Sequence, residues 1–304
     1  MAVTNFLVTS LPAYVQENRD LIIKNFALVG SDTRRRIGLR TGIKSGERLP
    51  FLDFNLVLQD GSGCGFNPLD EATLSQKTVT VRALKHDGQL CPETLLGKYA
   101  EYLVRINATE NNLPYEAYLM DVMGREVNKV IENLIWQGNT TSGQGNMAML
   151  NGFLAQFAAD TDVLTATAGA NVYASIQNVY MAMPDETLNR GGMIFISPAN
   201  YRAFLQQMVA LNYYHYAGPN DAAPETFVFP GSDVVVVKTP GLAGSNAIVG
   251  TFADNLTYLT DVDGDEVDVD LWWSQDDRLF KWQVKWTSGV AYYFPAQIVL
   301  GTAV

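Results

Sequence analysis

The chain is poor in the residues that build reactive or stapled sites. Two cysteines, Cys64 and Cys91, occur in 304 residues. They form no CxxC pair, are too few for a disulfide framework or a thiolate zinc site, and read as reduced structural thiols of a protein made in the cytoplasm. Two histidines, His86 and His215, are equally sparse. Neither a Gly-x-Ser-x-Gly elbow nor a His-Glu-x-x-His helix is present, so hydrolytic catalysis has no nucleophile–base pair to start from. Gly143-Gln144-Gly145 lacks the flanking strand and helix that a phosphate or dinucleotide loop requires, and no cofactor is expected. No run reaches the roughly 18 apolar residues of a membrane-spanning helix. Met1 to Ser10 has no basic segment, and Asn5 and Thr9 interrupt its apolar stretch, so no signal peptide is expected. Internal repeats, heptads and low-complexity tails are also missing.

Charge is sparse too. Charged residues make up 17 % and hydrophobic ones 47 %, against about a quarter charged in an ordinary globular domain. Such a chain can bury one large core or two modest ones, and its weakly repulsive surface suits association between copies. The net charge of −11 excludes a protein that grips DNA through its phosphates. Yet residues 1–50 are net positive by four, through Arg19, Lys24, Arg34, Arg35, Arg36, Arg40, Lys44 and Arg48, which leaves the rest net negative by fifteen. A basic arm on an acidic body favours contacts between copies or with a polyanion. Arg34 to Arg36 can equally be an ordinary solvated run.

Against these absences stand clear periodic segments. Residues 11–28 have helical spacing. A Gly-, Ser-, Asp- and Asn-rich stretch follows, with extended pieces at Phe51 to Leu58 and Thr78 to Leu84; so little core material in so long a segment predicts a projecting two-stranded loop that a partner covers. Leu119, Met120, Met123, Val127, Val130, Ile131 and Leu134 recur at three- and four-residue spacing. They predict a helix from Pro114 to Gln137, closed by Gly138, with Glu126 and Lys129 as an i,i+3 pair. Residues 140–170 contain two small-residue connectors, Thr140 to Gly145 and a loop near Thr165 to Asn171, and Asn171 to Met183 reads as a helix stopped by Pro184. Met193 to Ile196 reads as a buried strand, and Ser197-Pro198 as a helix entry with Ser as N-cap and Pro at the first position. Val234 to Val237 and Ala247 to Gly250 are further strands. This order predicts an α+β fold with helices packed on sheets.

The last fifty residues carry strict alternation. Val267, Val269, Leu271 and Trp273 share one face of a strand, with Trp272 on the other. Phe280, Trp282, Val284 and Trp286 share one face of the next, and Gln275 to Arg278 turn between them, which predicts a hairpin able to cover the long helix. Before it lies Asp261-Val262-Asp263-Gly264-Asp265-Glu266. Calcium loops place glycine after the third acidic position and a glutamate at the twelfth. Here Gly264 precedes the third aspartate and the twelfth residue from Asp261 is Trp272. An Asp-Gly turn between strands accounts for Gly264 without a metal. A weak surface cation site at Asp261, Asp263 and Asp265 stays open, and with it a calcium-dependent surface or binding protein. An enzyme ranks below both.

In this order the pieces resemble the major capsid proteins of tailed phages, the Hong Kong 97-like (HK97-like) fold. The likeness runs through an arm, an extended loop, a helix ending in Ile135-Trp136-Gln137-Gly138-Asn139, a unit around Ile194-Phe195-Ile196-Ser197-Pro198, and Ala253-Asp254-Asn255-Leu256 with the strands through Gly289-Val290 and Phe294-Pro295. The resemblance implies an N-terminal arm at 1–38 and an extended loop at 39–85. It further implies a peripheral domain with a spine helix at 86–147 and 252–304, and an axial domain at 148–251. It implies self-assembly through hexamers and pentamers into an icosahedral shell around double-stranded DNA, in a virion assembled in the bacterial host cytoplasm, with portal, scaffold or decoration proteins as possible partners and no membrane. An encapsulin-type nanocompartment shell is the close variant. Contacts between subunits are expected at Arg34, Arg35, Arg36, Arg40, Lys44 and Arg48 of the basic segment and at Asp263 and Asp265 of the acidic turn. Family members often begin with a charged scaffolding segment; none precedes Leu11, so a separate scaffold or none is expected.

Overall fold

A computed structural model of the chain describes residues 33–43, 46–54, 72–91, 115–213, 226–261 and 268–304. Its strands are β1 (Gly38–Arg40), β2 (Glu47–Phe54), β3 (Ala72–Val79), β4 (Arg82–Leu90), β5 (Leu164–Thr165), β6 (Gly192–Ile196), β7 (Thr226–Val228), β8 (Val235–Lys238), β9 (Ala247–Phe252), β10 (Leu256–Thr260), β11 (Asp268–Ser274), β12 (Leu279–Tyr292) and β13 (Val299–Thr302). The helices are α1 (Tyr115–Gln137), α2 (Phe153–Ala159), α3 (Val172–Ala182), α4 (Asp185–Asn189) and α5 (Pro198–Ala210), with short 3-10 turns between strands.

The expected hairpin is β11–β12, paired antiparallel from Asp268↔Lys285 to Ser274↔Leu279. β12 outruns the expected strand and organises a five-stranded sheet. Its residues pair with β11 and then β10 along one edge, and with β4 along the other. β1 adds to β10 in parallel. The expected strand at 78–84 is corrected: it straddles the end of β3 and the start of β4. β3 starts at Ala72 and pairs with β2, whereas β4 leaves the two-stranded loop and joins β12.

The second sheet has six strands in the order β5-β13-β9-β6-β8-β7. β6 and β8 lie parallel, and β9 runs antiparallel to β6. Both of its faces are covered, as continuous apolar strands require. Phe195, Val237 and Val249 enter one core with Ile135, Trp136, Phe153 and Phe157. Their strand neighbours Ile194, Val236 and Ile248 enter the other, under α3 and α5 with Ile176, Val179 and Phe204. β13, at the end of the segment 252–304, pairs with β9 and β5, so the C-terminus crosses into this sheet.

Local chemistry sets the helix ends. The side chain of Asn171 accepts from the Ala174 N–H at 2.8 Å, and Ser197 Oγ accepts from the Asn200 N–H at 3.3 Å, so both caps satisfy otherwise orphaned donors. α1 is about 35 Å long at 1.5 Å per residue. It stops at Gly138, where a Cβ would lie 2.4 Å from the Leu150 carbonyl oxygen. Glu126 and Lys129 form the expected surface pair at 3.8 Å. Between the two connectors, where no element is expected, lies α2, whose Phe153 and Phe157 are buried beside Trp136 and Tyr292.

Candidate functional site

Three successive turns of α1 grip the segment that begins at Thr33. Asn128, Glu132 and Trp136 stand four residues apart and therefore share one helix face. Thr33, buried, donates both its backbone N–H (3.2 Å) and its hydroxyl to Glu132 Oε1. The same hydroxyl oxygen accepts from Trp136 Nε1 at 2.7 Å. Glu132 is 4 % and Trp136 0 % exposed, so these bonds are made out of water, where an unmade one is most costly. Arg34 Nη2 donates to Asn128 Oδ1 at 2.7 Å, and its guanidinium lies 5.5 Å from the Tyr258 ring centroid. Burial lowers the Arg34 pKa, opposed by Tyr258 and Glu132; the guanidinium stays charged. Beyond it Ile37 enters the core, β1 pairs with β10, and the Ile43 N–H donates to the Thr260 carbonyl at 3.4 Å.

The residues expected to meet neighbouring subunits therefore separate. Arg34, expected at a contact, is instead buried within its own chain at 8 % exposed. Arg35 and Arg48 are exposed, and Arg36 and Arg40 half-buried. Asp261 is buried at the end of β10. Lys44, Asp263 and Asp265 lie outside the described residues, as do Cys64 and His215. Among the described residues no group of three His, Cys, Asp or Glu could hold a metal, and no helix is long and apolar enough to cross a membrane.

On another flank of α1 lies a cleft of about 320 Å³. Val127, Val130, Ile131 and Leu134 form one wall, and Leu84, His86, Trp282 and Trp286 the other. The Trp282 ring lies against Gly88 across the strand pair, where a Cβ would come within 2.2 Å of the indole. The indole N–H groups of Trp282 and Trp286 are buried without acceptors. The hairpin thus covers the helix as its alternation predicts, but without filling the gap. Such walls offer packing surface rather than a reactive centre.

The motifs quoted for the resemblance meet in space. Trp136 packs on Phe195 with ring centroids 5.3 Å apart, joining the end of α1 to β6. Gln137 Nε2 donates to the carbonyls of Gly241 (2.7 Å) and Ala243 (3.0 Å). Asn255, fully buried, donates to Thr251 Oγ1 and the Phe294 carbonyl, both at 3.0 Å. Its Oδ1 accepts from the Tyr293 and Phe294 N–H groups at 3.2 and 2.7 Å. Ala253 to Leu256 and Phe294-Pro295, distant in sequence, are one junction. Asn128, Glu132 and Trp136, spaced four residues apart, are the readable signal of a polar face on α1; Asn255 lies in the quoted Ala253–Leu256 motif, but nothing in the sequence names its partners at 293–294.

No protein-family model and no curated protein matches the chain. Solved structures do. A chain of the satellite phage P4 procapsid is similar with a TM-score of 0.59 at 10 % identity, covering 94 % of this chain and 98 % of that one. The capsid of an empty GTA particle gives 0.56 at 12 %, covering 91 % and 92 %. A virus-like particle from Pyrococcus furiosus gives 0.54 at 12 %, covering 94 % and 98 %. The chain has the Hong Kong 97-like fold. At these identities the likeness is one of architecture, with α1 as the spine helix. The junctions at Trp136 and Asn255 are how this particular sequence closes the Hong Kong 97-like arrangement.

Proposed function

We propose that this chain is the major capsid protein of a tailed phage, which self-assembles into an icosahedral shell enclosing double-stranded DNA. The observation that carries the reading is a single fold shared end to end with the phage P4 procapsid chain, over 94 % of one and 98 % of the other. In this reading the five-stranded sheet and spine helix are the peripheral domain, and the six-stranded sheet faces the symmetry axes. The β2–β3 loop lies over a neighbouring copy. The chain acts as building material without catalytic role, in the virion, with portal, scaffold or decoration proteins as further partners. Its net charge of −11 suits a container that must release its genome. Exposed Arg35 and Arg48, together with Lys44, then serve contacts between copies, with Asp263 and Asp265 as their acidic counterparts; Lys44, Asp263 and Asp265 lie outside the described residues.

Electron microscopy of the purified protein, alone and with its scaffold if one exists, should show closed megadalton shells, and particles from cells should protect double-stranded DNA from nuclease. A monomer under every assembly condition refutes the reading. A shell with other contents, of the encapsulin type, is the second reading. It is favoured by the similarity to the Pyrococcus furiosus virus-like particle, at a lower TM-score of 0.54; shells that carry protein cargo and no protected DNA would establish it. Charge reversal at Arg35 and Arg48 together should abolish or slow assembly while leaving subunit stability within about 0.5 kcal/mol, as for surface changes generally. Equal damage to folding and assembly refutes those contacts.

A further inference from the structure

We propose that Thr33, Glu132 and Trp136 form a latch that couples the root of the arm to the C-terminal half of the spine helix, so that strap and helix open together. The strap is the segment 33–43. At one end Glu132 Oε1 accepts twice from Thr33, and the Thr33 hydroxyl accepts from Trp136 while donating to Glu132. One hydroxyl thus joins two helix side chains a turn apart. Arg34 repeats the grip a turn earlier, on Asn128. At its other end the strap is tied to the sheet by β1 against β10 and by the Ile43–Thr260 bond.

Coupling follows from what release would uncover. Lifting Thr33 removes two donors from a buried carboxylate and the acceptor from a buried indole N–H. Neither group can stay in place without those bonds except at a penalty, so release of the strap destabilises this stretch of α1 and favours opening of the two together. The strap has no independent core: Ile37 packs in the same cluster as Ile131, Ile135 and Trp136. A two-state element biased from both sides is what coupling between distant contacts requires. On the shell-protein reading, a neighbouring copy that engages the arm would thereby bias the spine helix.

Hydrogen exchange read by mass spectrometry on the unassembled full chain tests the latch, whether or not shells form; microscopy tests the shell separately. Thr33→Val removes the hydroxyl at nearly constant shape. Exchange should accelerate at least tenfold both in 33–43 and in 129–137, with 192–196 unchanged. Thr33→Ser, which keeps the hydroxyl, should restore protection in both. Acceleration confined to 33–43, acceleration everywhere, or a serine variant that behaves like valine would each overturn the coupling. If Thr33→Val does not fold, Trp136→Phe removes the donor to the Thr33 hydroxyl from the helix side: faster exchange in both segments supports the latch, and a wild-type pattern in 33–43 overturns it.

Discussion

Alanine placed at two glycines should move stability in opposite directions, because the space around them differs. Gly241 sits in the 3-10 turn after β8, pressed against the spine helix. A Cβ there would lie 2.4 Å from the Glu132 carbonyl oxygen and 2.4 Å from Trp136 Cδ1. Ordinary carbon contacts fall at about 3.5–4.0 Å, so the seam must open by roughly 1 Å. Neither neighbour yields easily. The Glu132 carbonyl belongs to the helix backbone, and Trp136 is fixed between Phe153 and Phe195 with its N–H on Thr33. Overpacking of this kind costs about 1–3 kcal/mol. Opening the seam also strains the two Gln137 bonds to Gly241 and Ala243, worth about 1 kcal/mol each. Gly124, inside α1, has nothing within 4 Å of the corresponding position among the described residues. Alanine there should gain about 0.5–1 kcal/mol of helix stability. Gly241→Ala should therefore cost about 1–5 kcal/mol and lower the thermal midpoint of the monomeric chain by about 2–10 °C, taking about 2 °C per kcal/mol for a large domain. Gly124→Ala should raise it by about 1–2 °C. Both must be compared unassembled, since assembly shifts the apparent midpoint by mass action. A Gly241→Ala midpoint within about 1 °C of the parent would sink the close-packed seam.

Two further outcomes follow from the same contacts. Trp136→Phe removes an indole N–H that has an acceptor, whereas Trp286→Phe removes one that has none; urea unfolding should show Trp136→Phe costing about 1–3 kcal/mol more, and equal losses would discredit the bond to Thr33. Alkaline pH should destabilise the subunit through its buried tyrosines. Burial raises the Tyr258 pKa, against the opposing pull of Arg34 and Ser288, and burial together with the hydrogen bond to Asp160 raises that of Tyr292. Above about pH 10 the unfolded chain loses these protons while the folded one keeps them, so this contribution, fully present below pH 10, is lost at about 1.4 kcal/mol per pH unit per group. Thermal midpoints from pH 9 to 11 should fall less steeply in Tyr258→Phe than in the parent, and parallel slopes would refute the assignment.

Much of the architecture was legible because it is written locally. The period of α1, the alternation of β11 and β12, and the caps at Asn171 and Ser197 each sit within a few residues of the structure they specify. What escaped depends on distant pairing. Residues 82–85 read as the foot of the loop because nothing near them names β12, their partner about two hundred residues away. α2 hides in a stretch of Gly, Ala and Asn, and only two buried phenylalanines anchor it. Arg34 looked like its neighbour Arg35. Its different fate is set by Asn128 and Tyr258, neither of which is near it in sequence.

The division between apolar layers and polar ties also explains how the fold can be shared at 10–12 % identity. The covered sheet asks only for apolar residues of suitable volume on both faces of β6, β8 and β9, a demand many sequences meet. The junctions are different. Asn255 satisfies three backbone groups of residues 293–294 at once, and the Thr33 hydroxyl is useful only with Glu132 on one side and Trp136 on the other. A buried group with several partners cannot change alone without stranding the others. Layer positions can therefore drift singly, whereas the junction residues must change as sets. The ties at Asn255 and Thr33 are therefore the places in this chain where a single substitution should be least tolerated.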